Sequence, residues 1–338
     1  MNDVYSRVVA LGLVFAVLGC SREMSRDPAD TVSPFIAGDA SCVLKAGDEA
    51  WLADAPAAWM LVERDEFRLE PSDAEPEFLF FDEDCSYGSA DGKRWEAALH
   101  AGEVALPDGE ILPPVVASFA AAGPGGTPFI AMALPSIWRA QGVSSDLGLE
   151  KMLFAVFVHE MAHTRQLAVY GPKLDELTVR WSLPEDLDDD AVQERFEDEP
   201  DFVASVDRER ELLYAALEGN EEETRSRARQ ALNLIEERRS RWYVGADERY
   251  TELEDVFLTL EGVGNFAGYA WLVHAEGGAT PPEVAVAGMR RGGRRWSQDE
   301  GMAVFLVLQR LNPHWSKGAF GAVPESGLQL LADGVKEQ

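Results

Sequence analysis

The densest chemistry in the chain stands in five consecutive residues, His159-Glu160-Met161-Ala162-His163. On a helix, residues four apart lie one turn above each other on the same face, so both imidazoles can reach one metal ion. Glu160, one position on, points to the side, where its carboxylate can hold and deprotonate a water at that ion. The preceding run Phe154-Ala155-Val156-Phe157-Val158 is apolar. Burying two neutral imidazoles and an acid beside it is costly unless a partner such as a metal compensates them. Zinc is the expected occupant, with three protein ligands and the fourth position left for water.

A third ligand must come from elsewhere in the chain. Glu261, His274 and His314 are the candidates, together with the many other acids. Glu261 stands out because residues 257–273 contain no other carboxylate, and Leu253, Phe257, Leu260, Ala267 and Trp271 form an apolar stripe around it. A lone acid in that setting needs compensation, although a position at the stripe edge would let it reach solvent. Gly262, Gly264 and Gly268 leave room for a second helix to approach. Asn265, one turn after Glu261, is placed to orient that carboxylate.

An HExxH helix followed by a Glu on a later helix resembles the gluzincin metallopeptidases. The second motif, Glu261-Gly262-Val263-Gly264-Asn265-Phe266, is similar to that of bacterial families in which Glu-Gly precedes an aromatic residue. The metzincin extension is absent, since Gln166 and Val169 stand where Gly and His would be required. The resemblance spans residues 149–273. It implies His159, His163 and Glu261 as zinc ligands and Glu160 as general base of a peptidase, with a zinc-activated water as nucleophile. Related sequences often have Tyr where Phe266 stands, and Tyr269, Tyr250, Tyr243 or Arg208 are the candidates for that oxyanion-stabilising role. The resemblance also implies an edge strand before the HExxH helix that aligns an extended peptide; residues 127–134 lie in the right place for it or for a plain core strand. Two other functions use the same residues: a non-catalytic envelope protein that binds through a zincin scaffold, and a zinc amidase acting on cell wall material.

The elements that must position these residues follow from the apolar pattern. Residues 35–146 are punctuated by Pro and Gly, and their short apolar runs at 59–62, 78–81 and 129–134 predict strands. Residues 147–338 change to helical periodicity. A buried helix is expected over 149–170, ending at Gly171-Pro172, with charged helices at 207–217 and 221–243 joined by Gly219-Asn220. Further helices are expected over 248–273 and from a capping box at Ser297-Gln298-Asp299-Glu300 to about 311. The fold class is therefore α+β and zincin-like: short strands first, then a mainly helical catalytic region.

With 60 acidic against 30 basic residues, the net charge of -30 repels nucleic acid phosphates, so no nucleic acid partner is expected. The acid run 185–201, with Asp188, Asp189 and Asp190, reads as a solvated loop. Arg290, Arg291, Arg294 and Arg295 flank Gly292-Gly293 as the one dense basic cluster, suited either to a substrate carboxylate or, more readily, to the protein's own acids. His100 and His314 read as ordinary, partly exposed histidines.

Residues 8–18 form an apolar run of export-signal length, ending in Val17-Leu18-Gly19-Cys20. This resembles the lipobox of bacterial lipoproteins and implies a signal peptide over 1–20, a lipid on Cys20 and a tether over 21–34. The chain is then expected in the cell envelope, membrane-anchored through that lipid, and at the outer membrane if the host is Gram-negative. A simple signal peptide or a short membrane anchor with an incidental cysteine is the alternative. Of the three cysteines, Cys42 and Cys85 remain as a disulfide pair or as two buried thiols. The expected partner is a peptide or protein substrate.

Overall fold

The computed structural model describes residues 36–70, 75–184 and 187–336; the signal segment with Cys20 and the tether lie outside the described residues. Six strands form one mixed sheet: β1 (Ile36–Gly38), β2 (Glu77–Phe81), β3 (Cys85–Ser89), β4 (Trp95–Leu99), β7 (Ser118–Ala122) and β8 (Pro128–Ala133). A short hairpin, β5 (Val104–Ala105) with β6 (Ile111–Leu112), stands apart from them. The sheet order is β1-β4-β3-β2-β8-β7, with β1/β4 and β2/β8 parallel and the other pairs antiparallel. Every residue of β8 is buried, the pattern of an interior strand covered on both faces. Residues 127–134 thus supply a core strand, and the sheet edge next to it is β7.

The expected strand at 59–62 is instead the end of a helix, α1 (Ala46–Val62). Trp51, Leu52, Ala55, Ala58, Trp59 and Val62 are buried at three- and four-residue spacing, and this apolar face holds the helix together through Pro56. Trp51 packs edge-on against Phe80 of β2, with ring centroids 5.5 Å apart, which seats α1 against the sheet. A disulfide between Cys42 and Cys85 ties the segment before α1 to the start of β3.

After α2 (Pro135–Ala140) comes α3 (Leu149–Trp181), which carries the HExxH residues and runs straight past the expected stop at Gly171-Pro172. Proline removes one backbone donor from the ladder. Leu174 and Leu177 nevertheless bury beyond it, with Tyr170 just before it, in a second core shared with Phe196, Phe202, Leu253 and Phe257. That burial outweighs the lost bond. The chain continues through α4 (Ala191–Phe196), α5 (Pro200–Ala216) and α6 (Glu221–Trp242). Asn220 is more than a linker residue: it caps α6 in a reciprocal capping box with Glu223.

The helix α7 (Tyr250–Val273) lies between α3 and α9 (Trp296–Leu311), followed by α10 (Ser316–Ala319) and α11 (Gly327–Lys336), with α8 (Pro282–Arg290) beside it. By length and composition the segment of α7 could cross a membrane, but 89% of its apolar window is buried inside the protein, so here it is a core helix. The expected capping box of α9 does not form, because the helix starts at Trp296 and its polar residues serve other elements. Ser297 donates to Asp189, and Asp299 receives Arg290 and Tyr214. One main core runs through both regions, joining Phe80 of the sheet to Phe157 of α3 and Val263 of α7.

Candidate metal centre

The geometry of α3 brings the two imidazoles together as expected from their spacing. His159 and His163 are both buried, and their Nε2 atoms face each other 2.8 Å apart. From α7, Glu261 meets both: its carboxylate lies 3.5 Å from His159 Nε2 and 3.3 Å from His163 Nε2. Two donors bound tetrahedrally at zinc-ligand distances stand about 3.3 Å apart. The Glu261 contacts match that spacing, and an ion between the rings would spread them by about 0.5 Å.

Glu261 is fully buried, not at a solvent-reaching stripe edge, and both its carboxylate oxygens lack a hydrogen-bond partner among the described residues. A buried carboxylate left in this state costs several kcal/mol unless something positive meets it. Three converging donor groups, two imidazole nitrogens and one carboxylate whose oxygens are both unpartnered, fit a metal ion. His159, Glu160 and His163 also place one ligand atom each within 4.8 Å of one another. Of the two carboxylates, Glu261 is the better third donor. Glu160 Oε1 is already engaged, accepting a 3.0 Å hydrogen bond from Ser118 Oγ of β7, whereas neither Glu261 oxygen is held. Glu160 Oε2 is buried and unpartnered beside the histidines.

Neighbouring side chains fix the orientation. His163 Nδ1 is 2.8 Å from Gln166 Oε1, so the ring donates there and turns the Nε2 lone pair toward the site. Gln166 in turn donates to the Thr259 carbonyl of α7, at 3.4 Å. His159 lies flat against α7 because position 264 is glycine: a Cβ there would sit 2.8 Å from His159 Nδ1 and Cε1. Gly262 does the same for α9, where an added Cβ would meet the Gly301 backbone at 2.6 Å. The glycines of the second motif therefore set how closely both neighbours approach Glu261.

Charge is distributed by burial. Burial pushes the His159 imidazole down, as does the charge of His163. Burial also opposes charge on His163, but Glu261 and Glu160 outweigh it and hold that ring up. Burial would raise the Glu261 carboxyl, yet the two imidazoles hold it below its ordinary value, and Gln298 of α9 beside it acts in the same sense. Glu160 is pushed up to about 7, mainly by burial.

Several expected residues fall elsewhere. Asn265 does not orient Glu261; its side chain donates to the Gln298 carbonyl at 3.2 Å and lies beside His159, while the Gln298 side chain attends Glu261. His274 sits at the far end of α7, 3.3 Å from Asp65, and His314 is exposed. His100 is buried, with Nε2 3.1 Å from the Asp82 carbonyl. The Tyr243 hydroxyl is committed to Glu254, Tyr250 belongs to the second core, and Arg208 pairs with Glu211. Phe266 stacks on Phe67 in the core, and neither it nor Tyr269 lines the cavity at the site.

The acid run is not a solvated loop throughout. Asp189 and Asp190 are buried, Asp190 pairs with Arg295, and burial raises the Asp189 carboxyl to about 7. Sequence reasoning missed Ser118 and Gln298, which reach the site only through tertiary packing. Gln166 was missed as well, although the signal was present: it stands three residues after His163, where helical spacing brings it to that ring.

The chain has no match among protein-family models, curated proteins or solved structures.

Proposed function

We propose that the protein is a zinc-dependent peptidase whose metal is held by His159, His163 and Glu261. The observation that carries this reading is the fully buried Glu261 carboxylate, both oxygens unpartnered, facing two imidazole nitrogens 3.3 and 3.5 Å away. Two histidines and a carboxylate, with no thiolate, suit a borderline cation such as zinc in a site that keeps a position open. When bound, the ion would supply Lewis acidity, acidifying a water and polarising a carbonyl oxygen.

The chain's own residues do the rest. Gln166 keeps His163 in the tautomer that offers Nε2. Ser118 holds one oxygen of Glu160 and leaves Oε2 without a partner among the described residues, free to take a proton from the attacking water. The same oxygen returns that proton to the departing amine. Burial favours the protonated form of this carboxyl in the metal-free site, and a group able both to accept and to hold a proton is what the two transfers require. Ser118 is carried by β7, the last strand in the sheet order, and is itself fully buried, which holds its hydroxyl in place against Glu160.

The test is Glu160→Gln against a peptide library. Metal content should stay unchanged while turnover falls about 100- to 10,000-fold, the worth of a positioned base. Full activity in this variant would rule the mechanism out. Export and lipidation at Cys20 complete the reading: labelled palmitate should enter the wild-type protein and not Cys20→Ala, and equal labelling would dismiss the anchor.

A further inference from the structure

We propose that Arg291 and Arg294 form a carboxylate subsite beside the metal centre, so that the preferred substrates carry an acidic side chain or a free C-terminus next to the bond cleaved. The inference rests on the peptidase reading above and adds a substrate class to it. A cavity of about 680 Å³ opens from His159 and Glu160 and reaches the loop after α8, where Arg291 and Arg294 line its wall.

The four arginines of this loop divide into two kinds. Arg290 grips Asp299 through two hydrogen bonds of 2.9 and 3.2 Å, and Arg295 pairs with Asp190; neither lines the cavity. Arg291 and Arg294 make no ion pair among the described residues, in a chain with twice as many acids as bases (60 against 30). Arg291 is half-buried, and its guanidinium is destabilised by that burial while the charges of Glu261 and Glu160 support it. Its backbone is left-handed, with φ 50°, a conformation that an arginine adopts only at a cost. An unpaired cation held in a strained conformation on the wall of the cavity is suited to a ligand carboxylate, which a guanidinium binds through two parallel hydrogen bonds. Two acids also line the cavity: Glu160 at the metal centre, and Asp146, exposed at the loop before α3, which would reject the same anion and so restricts where the carboxylate lies.

The experiment uses zinc-loaded protein and two hydroxamates of equal length, one ending in a carboxylate and the other in its amide, with affinities read by calorimetry. The carboxylate probe should bind about tenfold tighter or more in the wild type, the size of one charge-assisted pairing. In Arg291→Gly, which suits the left-handed backbone and so leaves folding intact, the preference should fall to near one, and Arg291→Lys should keep part of it. Peptides matched for Asp against Asn, and for a free against an amidated C-terminus, then assign the source of the carboxylate. Equal binding of the two probes in the wild type overturns the subsite and leaves the metal centre standing. A preference that survives Arg291→Gly, or an equal loss for both probes, also overturns it. Failure of both probes to bind overturns the metal centre, and the subsite with it.

Discussion

A methyl group added at position 264 tests how the site is built without touching a ligand or the base. In Gly264→Ala the new Cβ would lie 2.8 Å from two atoms of the His159 ring and 2.9 Å from a third, so the ring must move. Ordinary contact begins near 3.4 Å, and restoring it displaces the imidazole or α7 by about 0.6 Å, in a core packed at crystal-like density. Overpacking of this kind costs about 1–3 kcal/mol, while Gly→Ala within a helix returns about 1 kcal/mol. The net change in stability of the metal-free protein is therefore a loss of about 0–2 kcal/mol. The effect on metal should be larger. A ligand pushed off its position, like one stripped of its supporting hydrogen bond, is expected to weaken affinity about 10- to 100-fold. Competition with a chromophoric chelator reads the affinity, and urea unfolding of the metal-free protein reads the stability. Gly47→Ala in α1 is the control, because a Cβ there meets nothing within 4 Å and should cost nothing in either assay. Wild-type metal affinity in Gly264→Ala, with a gain in stability equal to the control's, would show that His159 does not lie against α7 as described.

Other expectations follow from buried groups outside the site. Glu254 is held down to about 2, against the effect of its burial, by Arg238 and Arg239, so its folded value lies below the unfolded one. Its contribution to stability is complete above about pH 4.5 and is lost as pH falls toward 2; Glu254→Gln should cost about 3–5 kcal/mol at pH 7 and flatten that acid limb, and an unchanged limb would discount the Arg238 network. Removing the Cys42–Cys85 crosslink, which closes 43 positions of sequence, should cost about 4 kcal/mol in the chain-entropy estimate, read as a lower urea midpoint on reduction; a midpoint insensitive to reductant would count against the bond. Gln166→Leu should keep the fold but weaken metal affinity about 10-fold or more by freeing the His163 tautomer, and unchanged affinity would mean that its hydrogen bond does not orient the ring.

The parts of the site that were legible in sequence are those set by short-range helical geometry or by local chemical incongruity. His159 and His163 meet because four residues make one turn, and Glu261 was conspicuous because residues 257–273 hold no other carboxylate. The misreadings have a common physical origin in tertiary packing. Asn265 lies one turn from Glu261 on the same helix, yet the side chain beside that carboxylate, Gln298, comes from α9, and nothing in local spacing relates the two. Pro172 was read as a boundary and residues 59–62 as a strand after a Pro-punctuated stretch, yet Pro172 and Pro56 both lie inside helices whose apolar faces are buried strongly enough to absorb a missing donor. Asp189 and Asp190 looked solvated because acids cluster there; α9 and the arginine loop provide the partners that bury them. The α+β class, with the sheet before the long helices, agrees with the expectation. That β7 and not β8 forms the sheet edge depends on strand order, which strand propensity does not encode.

The proposed chemistry depends on three donors converging on one ion, and metal content of wild-type protein beside Glu261→Ala measures that convergence. After exhaustive chelation and re-exposure to zinc, the wild type should take up about one ion per chain with tight affinity, and Glu261→Ala should lose both affinity and peptidase activity together. A wild type that takes up no metal, or a Glu261→Ala variant that binds zinc as tightly as the wild type, would contradict the assignment of His159, His163 and Glu261 as its ligands.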